Sequence, residues 1–141
     1  MKTTLMKQVT DSIFEVMETM FFLTLEETDA LEEHAGHIKT AAVTFSGSYS
    51  GTISLSIPQN LLEEMTENFM GEDMDTLTAD HVDGTLKEAL NMIAGSALTR
   101  ADKTAYMGLG IPEIVPPPGR ADDTVVLTTG SDTLVARVAL D

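Results

Sequence analysis

The chain has 141 residues, 43% of them hydrophobic and 22% charged, a size and balance that fit one globular domain over 1–141. Eight basic against 23 acidic residues give a formal charge of −15, and no cysteine is present. That composition excludes a disulfide framework, a thiolate zinc site and a thiol nucleophile, and argues against nucleic acid or anionic membrane as a partner.

The first segment, Thr4 to about Leu25, reads as a helix because Leu5, Val9, Ile13, Val16/Met17 and Met20 recur at helical spacing. Lys2 and Lys7 precede an amphipathic stretch containing Asp11, Glu15 and Glu18, unlike the unbroken apolar run of a signal peptide. No window reaches the roughly 18 apolar residues of a membrane span, so the expected location is cytoplasmic. Glu26 to Gly36 is acidic and aperiodic, the pattern of a loop. It holds His34, three residues before His37, but a complete metal ligand set is missing and no metal is expected.

A hairpin follows, with strands over His37–Phe45 and Thr52–Ile57 around a Ser/Gly turn. Ile53, Leu55 and Ile57 alternate with Thr52, Ser54 and Ser56. Pro58 ends the second strand, Asn60 is placed to cap a short helix running to Met70, and Gly71 closes it. A second long helix is expected from Ala79 to Lys103, with Leu86, Leu90, Ile93 and Ala97 as its apolar stripe. Beyond it lie a short extended piece, Ile111–Val115, the run Pro116–Gly119 and a final hairpin, Thr124–Thr129 with Thr133–Leu140. The order is helix–strand–strand twice, with one short helix inserted. This predicts an α+β fold of two layers, long helices on an antiparallel or mixed sheet, built as a pseudo-repeat.

On the second long helix, Gly84, Glu88, Asn91 and Gly95 fall within roughly 60° of one another, away from the apolar stripe. A carboxylate and a carboxamide therefore stand one turn apart, with a glycine beyond each. Interior helix glycines cost about 1 kcal/mol each relative to alanine, so two on one stripe suggest close approach by another molecule. The plain reading is an ordinary solvated face, with glycines that serve packing inside the protein.

The stretch Glu88-Ala-Leu-Asn91-Met-Ile-Ala-Gly95-Ser-Ala-Leu resembles the signature helix of the CheC/CheX/FliY chemotaxis phosphatases. Phe45–Pro58 is similar to that family's first hairpin and Asn60–Gly71 to its inserted helix. One motif-bearing helix rather than two is more like CheX than CheC. Two departures stand out. Gly84 occupies the position of the family's Asp or Ser, with Asp83 one residue out of register, and Pro112 and Pro116 sit either side of the family's later proline.

The resemblance implies a protein-aspartyl-phosphate phosphatase that acts on a phosphorylated CheY-like response regulator in chemotaxis or two-component signalling. Asn91 then positions the attacking water, Glu88 anchors the receiver's lysine, and Gly84 and Gly95 admit the partner. No cofactor is expected on this chain, the Mg2+ belonging to the receiver, and a homodimer joined through sheet edges is expected. On the first helix, Asp11, Glu15 and Glu18 repeat the spacing with a carboxylate where the amide belongs, so no second active site is expected there. The alternative is a receiver-binding or flagellar-switch-like module without catalysis. A small-molecule enzyme has no support, since phosphate loop, nucleophile elbow and metal cluster are all missing.

Overall fold

Ile53, Leu55 and Ile57 of the first hairpin are buried as expected, all about 1% exposed or less, but Ser54 and Ser56 between them are buried too, so burial along this strand is nearly continuous and not alternating. The three apolar residues lie on one face of a sheet that receives three helices. The computed structural model describes residues 4–29, 37–101 and 107–141. In chain order these form α1 (Thr4–Met20), β1 (Glu26–Thr28), β2 (Ile38–Ser46), β3 (Gly51–Pro58), α2 (Gln59–Met70), a 3-10 turn (Met74–Thr76), α3 (Ala79–Ala101), β4 (Gly108–Leu109), β5 (Glu113–Val115), β6 (Asp123–Thr128) and β7 (Thr133–Leu140).

The sheet runs β1-β6-β7-β3-β2-β4, with β5 also on β2, and every pairing is antiparallel. The pseudo-repeat is visible in this order. Each half is a long helix, short edge pieces and a hairpin, and β3 pairs with β7 to join the two hairpins at the centre. The edge pieces are exchanged: β1 of the first half pairs with β6, whereas β4 and β5 of the second half pair with β2. Each half thus completes the other's sheet.

The extended piece expected over Ile111–Val115 is strand only at Glu113–Val115, and two other boundaries differ from the sequence expectation. The first helix ends at Met20, not Leu25. Phe21 is the last residue of its stripe to bury, and Phe22 then adopts a left-handed conformation (φ 57°) that reverses the chain. The Leu23 N–H donates to the Met17 carbonyl at 2.9 Å to close that end. The reversal delivers Leu25 to the core and turns Glu26–Thr28, expected as loop, into the edge strand β1. Three polar residues carry no alternation; the open edge of β6 makes them a strand. The second difference is at α2. Asn60 is not its cap: the helix starts at Gln59 behind Pro58 without a side-chain cap bond, and the Asn60 amide donates to Asp132 at 2.9 Å. Gly71 closes α2 as expected, at φ 69°. Lys103, the expected end of α3, lies outside the described residues, as does His34.

Helices α1 and α3 lie side by side on the sheet. Leu5, Met6, Val9, Ile13 and Met17 of α1 and Leu86, Leu90, Ile93 and Ala97 of α3 form one core with the inward strand residues. Ser12 and Ser96 touch between the helices, hydroxyl to hydroxyl at 3.1 Å, and Arg100 of α3 pairs with Glu15 of α1. No helix among the described residues is long and apolar enough to cross a membrane.

Gly51 allows the central β3–β7 pairing. A Cβ there stands 2.4 Å from the Ala139 carbonyl oxygen and 3.1 Å from the Phe45 ring. The first is backbone, and the second is the tip of a ring buried in the core. Gly51→Ala is expected to cost about 1–3 kcal/mol, the usual penalty of overpacking. Urea unfolding checks this, and an unchanged midpoint contradicts it.

Candidate functional site

Helix α3 is anchored at its start by a reciprocal cap. The Thr78 N–H donates to His81 Nδ1 at 2.9 Å, and the His81 N–H donates back to Thr78 Oγ1 at 3.4 Å. A histidine here plays the part that Glu or Gln plays in a capping box. One turn on, Asp83 is ion-paired with Lys39 of β2, which ties the helix to the sheet. Asp83 is therefore engaged in a partly buried pair and does not stand in for the acidic or hydroxyl residue missing at Gly84.

With the stripe Leu86, Leu90, Ile93 and Ala97 buried at 0–1% exposure, the opposite arc faces outward. Gly84, Glu88 and Asn91 are exposed, and Gly95 is half-buried. Among the described residues neither the Glu88 carboxylate nor the Asn91 carboxamide has a hydrogen-bond partner. A Cβ at Gly84 or Gly95 meets nothing within 4 Å, which removes close packing inside the protein as a reason for either glycine.

A groove of about 390 Å3 runs beside this arc, lined by Gly84, Lys87, Glu88 and Asn91 of α3 and by Gly110, Ile111 and Pro112. Its second wall was not legible in the sequence, and sheet register builds it. Leu109 pairs with Phe45 and Glu113 with Ala42, so three residues, 110–112, stand opposite only Val43 and Thr44. The extra residue pushes the strand out as a bulge, a frequent device beside functional sites. The Gly110 N–H donates to the Thr44 carbonyl at 2.8 Å, and Pro112 has no N–H with which to continue the ladder. Ile111 projects at 85% exposure. Pro112, one of the two prolines that flank the family's spacing, thus lines the groove with Glu88 and Asn91, whereas Gly95 does not.

The α1 residues behave differently. Glu15 is held by Arg100, and Asp11 lies 4.0 Å from Lys7. The helix with the matching spacing thus has its central carboxylate bound within the chain. No group of three or more His, Cys, Asp or Glu among the described residues is placed to hold a metal ion.

Three helices on one face of an open antiparallel sheet, with a motif helix turned outward, define an α+β fold of the chemotaxis-phosphatase type. Residues 39–122, more than half of the chain, match the family described as "Chemotaxis phosphatase CheX", and the chain belongs to that family. No curated protein matches. Among solved structures, CheX from Vibrio vulnificus is 18% identical with a TM-score of 0.78, covering 99% of this chain and 100% of that one. The CheX–CheY–BeF3–Mg complex from Borrelia burgdorferi matches at 16% identity and a TM-score of 0.73, covering 96% and 97%. FliY from Thermotoga maritima is more distant, at 14% and 0.63, covering 94% and 84%. At these identities the structural likeness establishes the fold.

Because Gly84 and Gly95 sit in open space inside a regular helix, alanine removes only their entropic cost. Gly84→Ala and Gly95→Ala are each expected to stabilise the free protein by about 0.5–1 kcal/mol. A loss of stability in urea unfolding contradicts the assignment of these glycines to an external partner.

Proposed function

We propose that this chain hydrolyses the aspartyl phosphate of a CheY-like receiver domain, with Asn91 positioning the water and Glu88 anchoring the partner. One observation carries the reading: on a helix within the region that matches the CheX family, Glu88 and Asn91 face outward beside a groove and have no partner among the described residues. A carboxylate and a carboxamide left unsatisfied on a rigid helix are available to a docking protein. The receiver as partner is supported by the Borrelia complex, in which a CheX of the same fold is joined to CheY, BeF3 and Mg.

The chemical demand on this chain is small. An acyl phosphate is labile, and the receiver brings the Mg2+ and lysine that carry phosphoryl charge. Water attacks phosphorus in line, the bond to the aspartyl oxygen breaks, and the carboxylate and inorganic phosphate separate. The water's proton leaves with the phosphate. A carboxamide orients that water through hydrogen bonds without titrating near neutral pH, as the water-orienting glutamine does in GTPases. Glu88 pairs with the receiver's lysine across the interface and fixes register. Gly84, exposed and without a side chain, leaves the approach to Glu88 open from the N-terminal side.

The homodimer belongs to the same proposal. Strand β5 pairs only with β2 among the described residues, so its outer edge is available to a second copy.

The test follows decay of a phosphorylated CheY-like receiver in the presence of the wild-type chain and of Asn91→Ala. The substitution is expected to slow decay roughly 100-fold, the scale of a lost positioning contact. Glu88→Ala is expected to weaken receiver binding more than turnover at saturation. Gly95→Leu is expected to impair turnover while leaving the fold intact. Equal decay with wild type and Asn91→Ala overturns catalysis by this amide, and decay no faster than that of the receiver alone supports a receiver-binding module without activity.

A further inference from the structure

Among the described residues of this acidic protein, five of the six basic side chains have a partner. Lys2 and Lys103 lie outside the described residues. Of the others, Lys7 lies 4.0 Å from Asp11, Lys39 pairs with Asp83, and Arg100 pairs with Glu15. Arg120 bonds to Asp122 and to the Leu140 carbonyl, and Arg137 donates to Ser56 Oγ at 3.1 Å. Lys87 alone has no hydrogen bond or ion pair among the described residues. In a chain with 23 acidic residues, a half-buried lysine without a partner among the described residues calls for a reason.

The reason it stays free is geometric. On a helix the natural partner for Lys87 is an acidic residue one turn towards the N-terminus, and Asp83 stands there. Asp83 has instead been drawn to Lys39 on β2. Glu88 is the next residue along, and adjacent helical residues do not face each other. The position one turn further on is Asn91, about 40° away around the helix. Lys87 therefore lines the same groove as Glu88 and Asn91, and the one ion pair that would neutralise it is diverted to the sheet.

We infer that Lys87 is the anion-binding residue of this groove, reaching a non-bridging phosphoryl oxygen of the phosphorylated receiver while Asn91 holds the water. The inference rests on the reading of the groove as the receiver-docking site. Lysine suits the task because its four-carbon stem extends beyond the short Asn91 amide and carries a point charge with three donors. Charge in phosphoryl transfer spreads over the equatorial oxygens, so a cation at one of them favours both the bound phosphoryl group and its transition state. Lys87 also confers selectivity. A chain of charge −15 gains nothing at long range from a dianionic phosphoryl group, and local contact with this ammonium offsets the repulsion only when the phosphoryl group is present.

The experiment titrates wild type, Lys87→Met and Asn91→Ala against a CheY-like receiver domain, with and without beryllofluoride and Mg2+ as the phosphoryl mimic. Methionine keeps the unbranched stem and a similar helix propensity, and Lys87→Gln carries the same expectation should Lys87→Met melt. Lys87→Met is expected to weaken binding of the beryllofluoride form on the order of tenfold, the worth of one charge-assisted hydrogen bond. Binding of the unmodified receiver is expected to stay unchanged, and Lys87→Arg to restore part of the loss. An unchanged affinity for the beryllofluoride form overturns the inference. So does an equal loss for both forms, which assigns Lys87 to a carboxylate of the receiver. Asn91→Ala keeps the two failures apart: wild-type turnover in that variant defeats the catalytic reading, while the Lys87 titration still reports on phosphoryl recognition.

Discussion

The rotation of α3 about its own axis is the constraint on which the site depends. Leu86, Leu90, Ile93 and Ala97 are sealed between α1 and the sheet, and a turn of the helix by one residue's angle would drive Glu88 toward that core. Burying an unpaired carboxylate costs several kcal/mol, far more than any exposed contact on the outer face could return. The apolar stripe thereby fixes what it does not touch: Gly84, Glu88 and Asn91 can only point outward. The cap at Thr78 and His81 and the Lys39–Asp83 pair hold the helix over its first turns, and the Ser12–Ser96 contact holds it nearer its C-terminal end. The role proposed for Asn91, setting a water in line with phosphorus, needs such a support, because small displacements are costly.

The exchange of edge strands gives the site its second wall. β4 and β5 belong to the half that carries α3, yet they pair with β2 of the other half, and the bulge between them lies beside the exposed arc of α3. Helix and bulge are thus positioned by one strand, β2, which also supplies Lys39 to Asp83. The pseudo-equivalent helix α1 lacks such an arrangement. Its Glu15 is bound to Arg100, and Glu18 offers a charge where α3 offers a neutral amide. The two helices share a framework and differ in what they leave unsatisfied.

Much of this was written in the sequence in forms that local physics can read. The stripe of α3, that of α1 from Leu5 to Met17, the burial of Ile53, Leu55 and Ile57, and Gly71 at the end of α2 are local signals that stand where they were expected, whereas Met20 at the end of the α1 stripe is exposed and Ser54 and Ser56 are buried. What escaped depends on distant partners. Glu26–Thr28 is a strand only because β6 lies open beside it, and Asn60 is not a cap because α2 begins one residue earlier, with the Asn60 amide donating to Asp132 across the structure. The same holds at the site. Glu88 and Asn91 stood out by spacing, whereas Ile111 and Pro112 are brought beside them by register, and Lys87, next to Glu88 in the chain, is left without a partner by an ion pair formed elsewhere. An unpaired Lys87 is invisible until Asp83 is seen to be occupied.

The account rests most heavily on the neutrality of the Asn91 side chain, since the site has to hold a water against a charged phosphoryl group. Asn91→Asp changes that charge while keeping the shape. The direct measurement is the decay rate of a phosphorylated CheY-like receiver at saturating concentrations of wild type and of Asn91→Asp at neutral pH. The account predicts that the isosteric carboxylate, repelled by the phosphoryl oxygens, turns over the receiver no faster than Asn91→Ala. A wild-type rate with Asn91→Asp would contradict it.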